Sequence, residues 1–179
     1  VAYDSKVNYD DIFSQVRVWD TLIHNHLMQK NICIPPREEH SKETKYEGAY
    51  VKEPILGGHD WIVSFDINSL YPHIIIQYNI SPEKILGESG QGVNVNKMID
   101  MKVPLNYLKH EGACLTPNGA KFRNDSQGFL PEMMEKMYND RVVFKQRMLK
   151  AKAEYQKTPT KELAREIARC HNIQWSKKI

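Results

Sequence analysis

The clearest pattern near the start of the chain is a helical repeat of apolar positions. Between residues 14 and 30 these side chains recur three and four positions apart, which places them on one face of a helix. They are Trp19, Leu22, Ile23, His26 and Leu27. Ser14 is a suitable N-cap and Ile34-Pro35-Pro36 is a stop signal. The pattern therefore predicts an amphipathic helix over about residues 14–30.

The next apolar segments are short and predict two strands, at residues 49–52 and 61–65, with Gly57-Gly58 as a turn between them. The second segment is rich in the aromatic and β-branched residues that strands favour, and it ends at Asp66. Residues 69–78 then predict a helix, in which Pro72 is tolerated because it lies in the first turn. The order of elements is strand, carboxylate, helix start.

The last third of the chain predicts a pair of long helices. Asn118-Gly119 first indicates a β-hairpin turn. From Phe129 to about residue 156 the apolar residues suit one face of a helix: Leu130, Met133, Met134, Met137, Phe144 and Met148. Residues 157–160 break this pattern, and Thr160 can cap a second helix that runs to residue 179. Two long helices with a short break predict an antiparallel helical hairpin.

Composition and charge narrow the class of protein. The net charge is only +3, but Lys and Arg are frequent from Arg141 onward, which is compatible with contact to phosphates. The three cysteines lie far apart, so neither a zinc site nor a disulfide framework is indicated and a reducing compartment is expected. No apolar run reaches the roughly 18 residues of a membrane span. These features predict a cytoplasmic protein with no membrane contact.

The junction at Asp66 has the chemistry of a metal and phosphate site. Mg²⁺ prefers oxygen ligands, and a carboxylate at a strand end can hold it. The backbone N–H groups at the start of the following helix suit a triphosphate. The simpler alternative is that Asp66 caps a helix and Tyr71 fills a core.

The sequence Asp66-x-x-Ser69-Leu70-Tyr71-Pro72 resembles the Asp-x-x-Ser-Leu-Tyr-Pro palm motif of family B DNA polymerases. The run from Trp19 through Pro54 and on to Asn79-Ile80-Ser81-Pro82-Glu83 is most similar to the members from large tailed phages. The resemblance implies that Asp66 and the carbonyl of Ile67 bind catalytic Mg²⁺ in a two-metal site. It also implies that Ser69 and Leu70 cradle the triphosphate of an incoming deoxynucleotide. Tyr71 would then pack under the sugar and exclude a 2′-hydroxyl.

Two further segments are similar to the same family. Tyr46, Gly48 and Ala49 lie in a segment that resembles the family's Tyr-x-Gly-Gly/Ala contact with template-primer DNA. Arg141 and Lys145, four positions apart on one helix face, resemble the pair that grips the nucleotide's phosphates. The alternative for this pair is a solvated basic face.

The end of the second helix resembles the beginning of the family's fingers motif, Lys-x-x-x-Asn-Ser-x-Tyr-Gly. Lys178 is the preferred match for its lysine, and Lys177 is the alternative. Counting outward from the break near Thr158-Pro159 places Lys177-Lys178 opposite Arg141 on the neighbouring helix. The spacing predicts one basic site shared by both helices.

The resemblance implies an α+β fold, namely part of a right-hand palm with short strands plus an antiparallel two-helix fingers hairpin. Residues 1–37 are expected to be the connection from the exonuclease and N-terminal region, residues 38–127 the partial palm, and residues 128–179 the fingers. The Asp-Thr-Asp motif, which supplies the second catalytic aspartate, is not in the sequence. We therefore expect this piece of a DNA-directed DNA polymerase to be inactive alone.

The expected partners are template-primer DNA, a deoxynucleoside triphosphate, and a complementary polymerase fragment with the Asp-Thr-Asp motif and thumb. Self-association through unpaired strand edges is a further expectation. Whether the chain is a natural split subunit or a piece of a longer gene product stays open. Two other functions also stay open: a non-catalytic module that binds nucleic acid or a replication partner, and a nucleotide-binding regulator.

Overall fold

The computed structural model describes residues 2–36, 49, 51–88, 95–103, 109–110 and 112–177. The fold is α+β, and the chain divides into two compact units, Val1–Asp66 and Ile67–Ile179. The six α-helices of the described part are α1 (Ala2–Ser5), α2 (Gln15–Gln29), α3 (Leu70–Gln77), α4 (Val95–Ile99), α5 (Phe129–Lys157) and α6 (Lys161–Ser176), and two 3-10 helices cover Tyr9–Phe13 and Pro82–Lys84. Its four strands are β1 (Ile85–Glu88), β2 (Lys109–His110), β3 (Ala113–Leu115) and β4 (Ala120–Arg123).

The first unit is built on helix α2, which confirms the helix predicted over residues 14–30. Its buried residues, Val18 and Leu27, lie on opposite sides of the helix. The helix ends at Gln29, before the downstream prolines. Asn31 adopts a left-handed conformation (φ 55°), and the N–H of Ile32 reaches back to the carbonyl of Leu27 at 3.0 Å. This is a Schellman ending, in which asparagine tolerates the left-handed backbone.

The strands predicted at residues 49–52 and 61–65 are wrong for the described residues. Ala49 and residues 51–67 have no regular secondary structure, and every described residue from 51 to 68 is exposed. Trp61 is 98% exposed and Phe65 is 90% exposed. A strand exists only where a neighbour completes its hydrogen bonds, and β-branched or aromatic composition does not supply one.

The second unit contains a four-stranded antiparallel sheet in the order β1-β4-β3-β2. The predicted hairpin is confirmed, since β3 and β4 are joined by a tight turn at Asn118-Gly119. Gly119 has φ 92°, a conformation that favours glycine, and its N–H donates to the carbonyl of Thr116 at 2.9 Å. Leu115 and Phe122 are the buried side chains of this sheet.

The predicted helical hairpin is also confirmed, with α5 packed against both α3 and α6. The hydroxyl of Thr160 accepts a hydrogen bond from the N–H of Leu163 at 3.3 Å, as an N-cap should. Met148 and Ala151 on α5 and Cys170 and Ser176 on α6 are buried. Burial, followed by the hydrogen bond that Cys170 donates to Glu166, raises the pKa of the Cys170 thiol.

A polar joint fastens the residues after α3 to the start of α5. We define this joint as Asn79, Ser81, Glu83, Lys84, Asp125, Ser126 and Gly128. Asn79, two residues after the end of α3, adopts the left-handed conformation (φ 54°), and the N–H of Ile80 makes a Schellman bond to the carbonyl of Ile75 at 3.0 Å. Its buried amide then donates to the carbonyls of Arg123 (2.6 Å) and Ser126 (2.9 Å) and accepts from the N–H of Gly128 (2.8 Å).

The same joint caps the N-terminus of α5. The carboxylate of Glu83 accepts a hydrogen bond from the N–H of Phe129 at 2.8 Å, and the Ser81 hydroxyl accepts from Leu130 at 3.4 Å. These N–H groups have no acceptor within their own helix, and a carboxylate is favourable at this end of the helix dipole. The joint therefore fixes where α5 begins relative to α3.

Candidate nucleotide-binding site

The site begins with an unusual turn at Ser69, directly before α3. Ser69 lies in the left-handed region (φ 53°, ψ 43°), which costs a residue with a side chain about 1–2 kcal/mol. Its carbonyl accepts two hydrogen bonds from His73, one from the backbone N–H at 3.2 Å and one from the ring Nδ1 at 2.8 Å. Because a carbonyl can only accept, the Nδ1 atom of His73 carries the proton.

The Ser69 side chain makes no cap to its own helix and meets Arg141 instead. The guanidinium Nη1 of Arg141 donates to the Ser69 hydroxyl at 3.3 Å, across 72 positions of sequence. Arg141 lies in the middle of α5, where it is half-buried, and Lys145 follows one turn later with an exposed side chain. This contact brings the start of α3 and the basic face of α5 together.

A second contact joins the same two helices one turn before Arg141. The rings of His73 and Tyr138 meet edge to face, with 4.8 Å between centroids and 79° between planes. Since Tyr138 and Arg141 are three positions apart on α5, they share a face of that helix. This face of α5 is therefore directed to α3 by two independent contacts.

The neighbouring residue Asp140 turns towards α6. Its carboxylate lies 3.5 Å from the ammonium of Lys177, which follows the last turn of α6. This ion pair confirms the register predicted by counting from the helix break, because it places Lys177 beside residue 141. Successive helical residues point about 100° apart, so Asp140 and Arg141 serve different neighbours.

The other predicted site residues are exposed or lie outside the described residues. Asp66 ends the first unit in irregular backbone with its carboxylate exposed, and Ile67 is 67% exposed. Leu70 and Tyr71 form the first turn of α3, where Tyr71 is 75% exposed, so the alternative that it fills a core is wrong. Ala49 is exposed, while Tyr46, Gly48 and Lys178 lie outside the described residues.

Within the part of the chain that the structure describes, no three acidic, histidine or cysteine side chains gather as a metal site. None of the helices in that part is long and apolar enough to cross a membrane. The oxygen donors of Asp66 and Ile67 are of the kind that Mg²⁺ accepts, and they supply only part of a coordination shell.

Sequence reasoning missed His73, Tyr138 and Asp140. His73 has no metal-ligand spacing to another histidine. The available signal was its position four residues after Ser69, which places the ring over the turn that begins the helix. Tyr138 and Asp140 carry no local signal, because their partners lie on other helices.

Known proteins are similar in sequence to this chain over most of its length. The model of DNA polymerase family B matches residues 11–163. The chain is 35% identical over 151 residues to the DNA-directed DNA polymerase of Escherichia phage RB69, covering 84% of this chain and 16% of that protein. The enzyme of Enterobacteria phage T4 is 32% identical over 148 residues, covering 83% of this chain and 16% of that protein.

A more distant match is the DNA polymerase of Pyrococcus horikoshii, which is 32% identical over 120 residues. That alignment covers 66% of this chain and 8% of the archaeal protein. The chain thus spans only a small part of the length of the curated relatives it matches. Because the family model covers most of the chain, the chain belongs to DNA polymerase family B.

Proposed function

We infer that the chain is part of a DNA-directed DNA polymerase and that its second unit holds the triphosphate of the incoming deoxynucleotide. The observation that carries this proposal is the 3.3 Å contact between Arg141 and Ser69. The contact joins Ser69, which lies three residues after Asp66 in the palm motif, to the basic face of α5. Family membership supports the proposal, because template-directed nucleotidyl transfer needs such a site.

The residues of this site supply the donors that a triphosphate requires. Arg141 offers a planar fork of N–H groups, and Lys145 adds a point charge one turn away. Leu70 and Tyr71 open α3, where backbone N–H groups have no acceptor within the helix and the dipole favours an anion. Lys178 would add a further cation, because Lys177 is already paired with Asp140.

The metal part of the proposal rests on Asp66 and the carbonyl of Ile67. A pair of Mg²⁺ ions would neutralise charge on the attacking and leaving oxygens of the reacting phosphate. Magnesium is commonly held by one or two carboxylates together with substrate phosphates. In this proposal Asp66 contributes one carboxylate, and a complementary segment with the Asp-Thr-Asp motif and thumb contributes the other.

Two finer roles follow for the exposed residues. Tyr71 is largely exposed in the first turn of α3, a position from which its ring can pack against a sugar. In this role it would discriminate against a 2′-hydroxyl. Tyr46, Gly48 and Ala49 would contact template-primer DNA.

The triphosphate site can be tested on the chain itself by titrating the isotope-labelled protein with dATP and Mg²⁺ in an NMR experiment. We expect the largest shifts at Ser69, Leu70 and Arg141. The variant Arg141→Ala should weaken binding by about 1.5–3 kcal/mol, the scale of charged hydrogen bonds. Arg147→Ala is the matched control, because it removes the same side chain about 120° around the same helix.

The metal part has a separate test. Mn²⁺ is chemically close to Mg²⁺ and broadens nearby resonances. With dATP present, we expect broadening at Asp66 and Ile67 that is lost in Asp66→Asn. Equal broadening in the variant would remove Asp66 from the metal site while leaving the triphosphate site intact.

A further inference from the structure

We propose that His73 is a positioning residue for the triphosphate site, because its ring holds Ser69 in the turn that presents the serine hydroxyl to Arg141. This inference rests on the proposed function, and it adds a residue that the palm motif does not include. Two contacts of one ring carry it: the 2.8 Å hydrogen bond to the Ser69 carbonyl and the edge-to-face contact with Tyr138.

The Ser69 turn needs such support because its backbone is unfavourable by itself. A left-handed serine costs about 1–2 kcal/mol and persists where surrounding contacts fix it. The carbonyl of Ser69 accepts the backbone N–H of His73 as well as its ring N–H, so both acceptor positions of that oxygen are engaged. The second bond is absent from an ordinary helix start, and it depends on the side chain of His73.

The local sequence also explains why the Ser69 hydroxyl remains available for Arg141. A serine at a helix start usually accepts an N–H from the second or third residue of its helix. Here the third residue is Pro72, which has no N–H, and the side chain of Ser69 makes no cap bond. The hydroxyl is instead directed to the guanidinium on α5.

His73 also couples this turn to α5 directly. Its Nδ1 side faces the Ser69 carbonyl, and its ring meets Tyr138, one turn before Arg141. A side chain with a hydrogen-bond donor but no ring could bind the Ser69 carbonyl but could not make the ring contact with Tyr138. A side chain with a ring but no donor could contact Tyr138 but could not bind the carbonyl. Histidine does both, and its ring orientation is fixed from two sides.

The experiment separates these two properties with three variants. His73→Asn keeps a donor close to the position of Nδ1, while His73→Phe keeps the ring and loses the donor. His73→Gln places its donor farther from the backbone and serves as a second loss variant should the phenylalanine disturb folding. Two measurements are made on each variant: the dATP dissociation constant with Mg²⁺, and the Ser69 Cα and Cβ chemical shifts without nucleotide.

We expect His73→Phe and His73→Gln to weaken dATP binding about three- to tenfold, the scale of one lost hydrogen bond. Their Ser69 shifts should move away from left-handed values, while His73→Asn stays within about twofold of the parent affinity. Parent-like Ser69 shifts in both loss variants would overturn the proposal, as would equal weakening in all three. If the parent chain binds no dATP at this site, the proposed function fails, and the Ser69 shifts still decide whether His73 holds the turn.

Discussion

Residues 51–66 and the polar joint beside α5 differ in burial in the opposite sense to their composition. The first segment contains the apolar residues for which a strand was predicted at 61–65, yet it is exposed throughout and lacks regular structure. The joint is polar and gave little signal, yet it contains the buried Asn79, Ser81 and Lys84. Apolar composition alone therefore does not bury a segment, because neighbouring residues must pack against it. A few polar groups with complete hydrogen bonds can hold a segment in place.

Two phenylalanines test whether residues 51–66 are exposed in solution. Phe122 is buried in strand β4, whereas Phe65 is 90% exposed. We expect Phe122→Ala to lower the free energy of unfolding by about 3–5 kcal/mol. Phe65→Ala should change it by no more than about 0.5 kcal/mol. Urea denaturation measures both, and a large effect at Phe65 would show that residues 51–66 are packed in solution.

Asn79→Ala tests the joint itself. The change removes three hydrogen bonds from a residue that is only 5% exposed and places alanine in a left-handed conformation. We expect a loss of about 3–4 kcal/mol in the free energy of unfolding. Asn124→Ala, at an exposed position between β4 and α5, is the control and should cost little. Similar losses in both variants would mean that the joint is not the fixed point.

A smaller effect is expected where α5 begins. A Cβ atom on Gly128 would lie 2.6 Å from the Cβ of Ser81, so Gly128→Ala must displace the joint. We expect a cost of about 1–3 kcal/mol, as for other overpacked sites. Gly58→Ala is the matched control, because a Cβ there meets nothing within 4 Å. An unchanged unfolding midpoint for Gly128→Ala would contradict the close packing of the joint.

The smallest effect concerns the exposed edge of the joint and depends on pH. The hydrogen bond from the Lys84 ammonium, at 2.9 Å, holds the pKa of Asp125 below its ordinary value of 3.8. A carboxyl with a depressed folded-state pKa contributes stability above its ordinary pKa and loses it as the pH falls through the folded value. The stability difference between the parent and Asp125→Asn should therefore be constant at neutral pH and shrink below about pH 4. A stability difference that stays constant to lower pH would show that the Lys84–Asp125 ion pair does not stabilise the fold.

The helices could be predicted from sequence because their hydrogen bonds and caps are local. Thr160 and the break before it fix the hairpin, and counting from that break was enough to bring Lys177 beside residue 141. The contact between Ser69 and Arg141 was not predicted, since no local rule joins positions 72 residues apart. The strand predicted before Asp66 was wrong, because β structure depends on a neighbour that the pattern does not reveal.

Parts of the site that sequence did not predict share one property. The hydroxyl of Ser69, the ring of His73 and the capping carboxylate of Glu83 each contact α5. Their residue types are common in solvated turns, so composition gives no reason to single them out. Only the fold shows that each completes a hydrogen bond on which the position of α3 or α5 depends.

Ser69 and Arg141 are proposed to form one side of a triphosphate site. A dATP titration of the labelled chain, followed at the resonances of these two residues, tests this proposal. We expect saturable shifts at both residues, with binding weakened by about 1.5–3 kcal/mol in Arg141→Ala and unchanged in Arg147→Ala. Shifts that bypass Ser69, or equal weakening in the two arginine variants, would show that α5 presents only a solvated basic face.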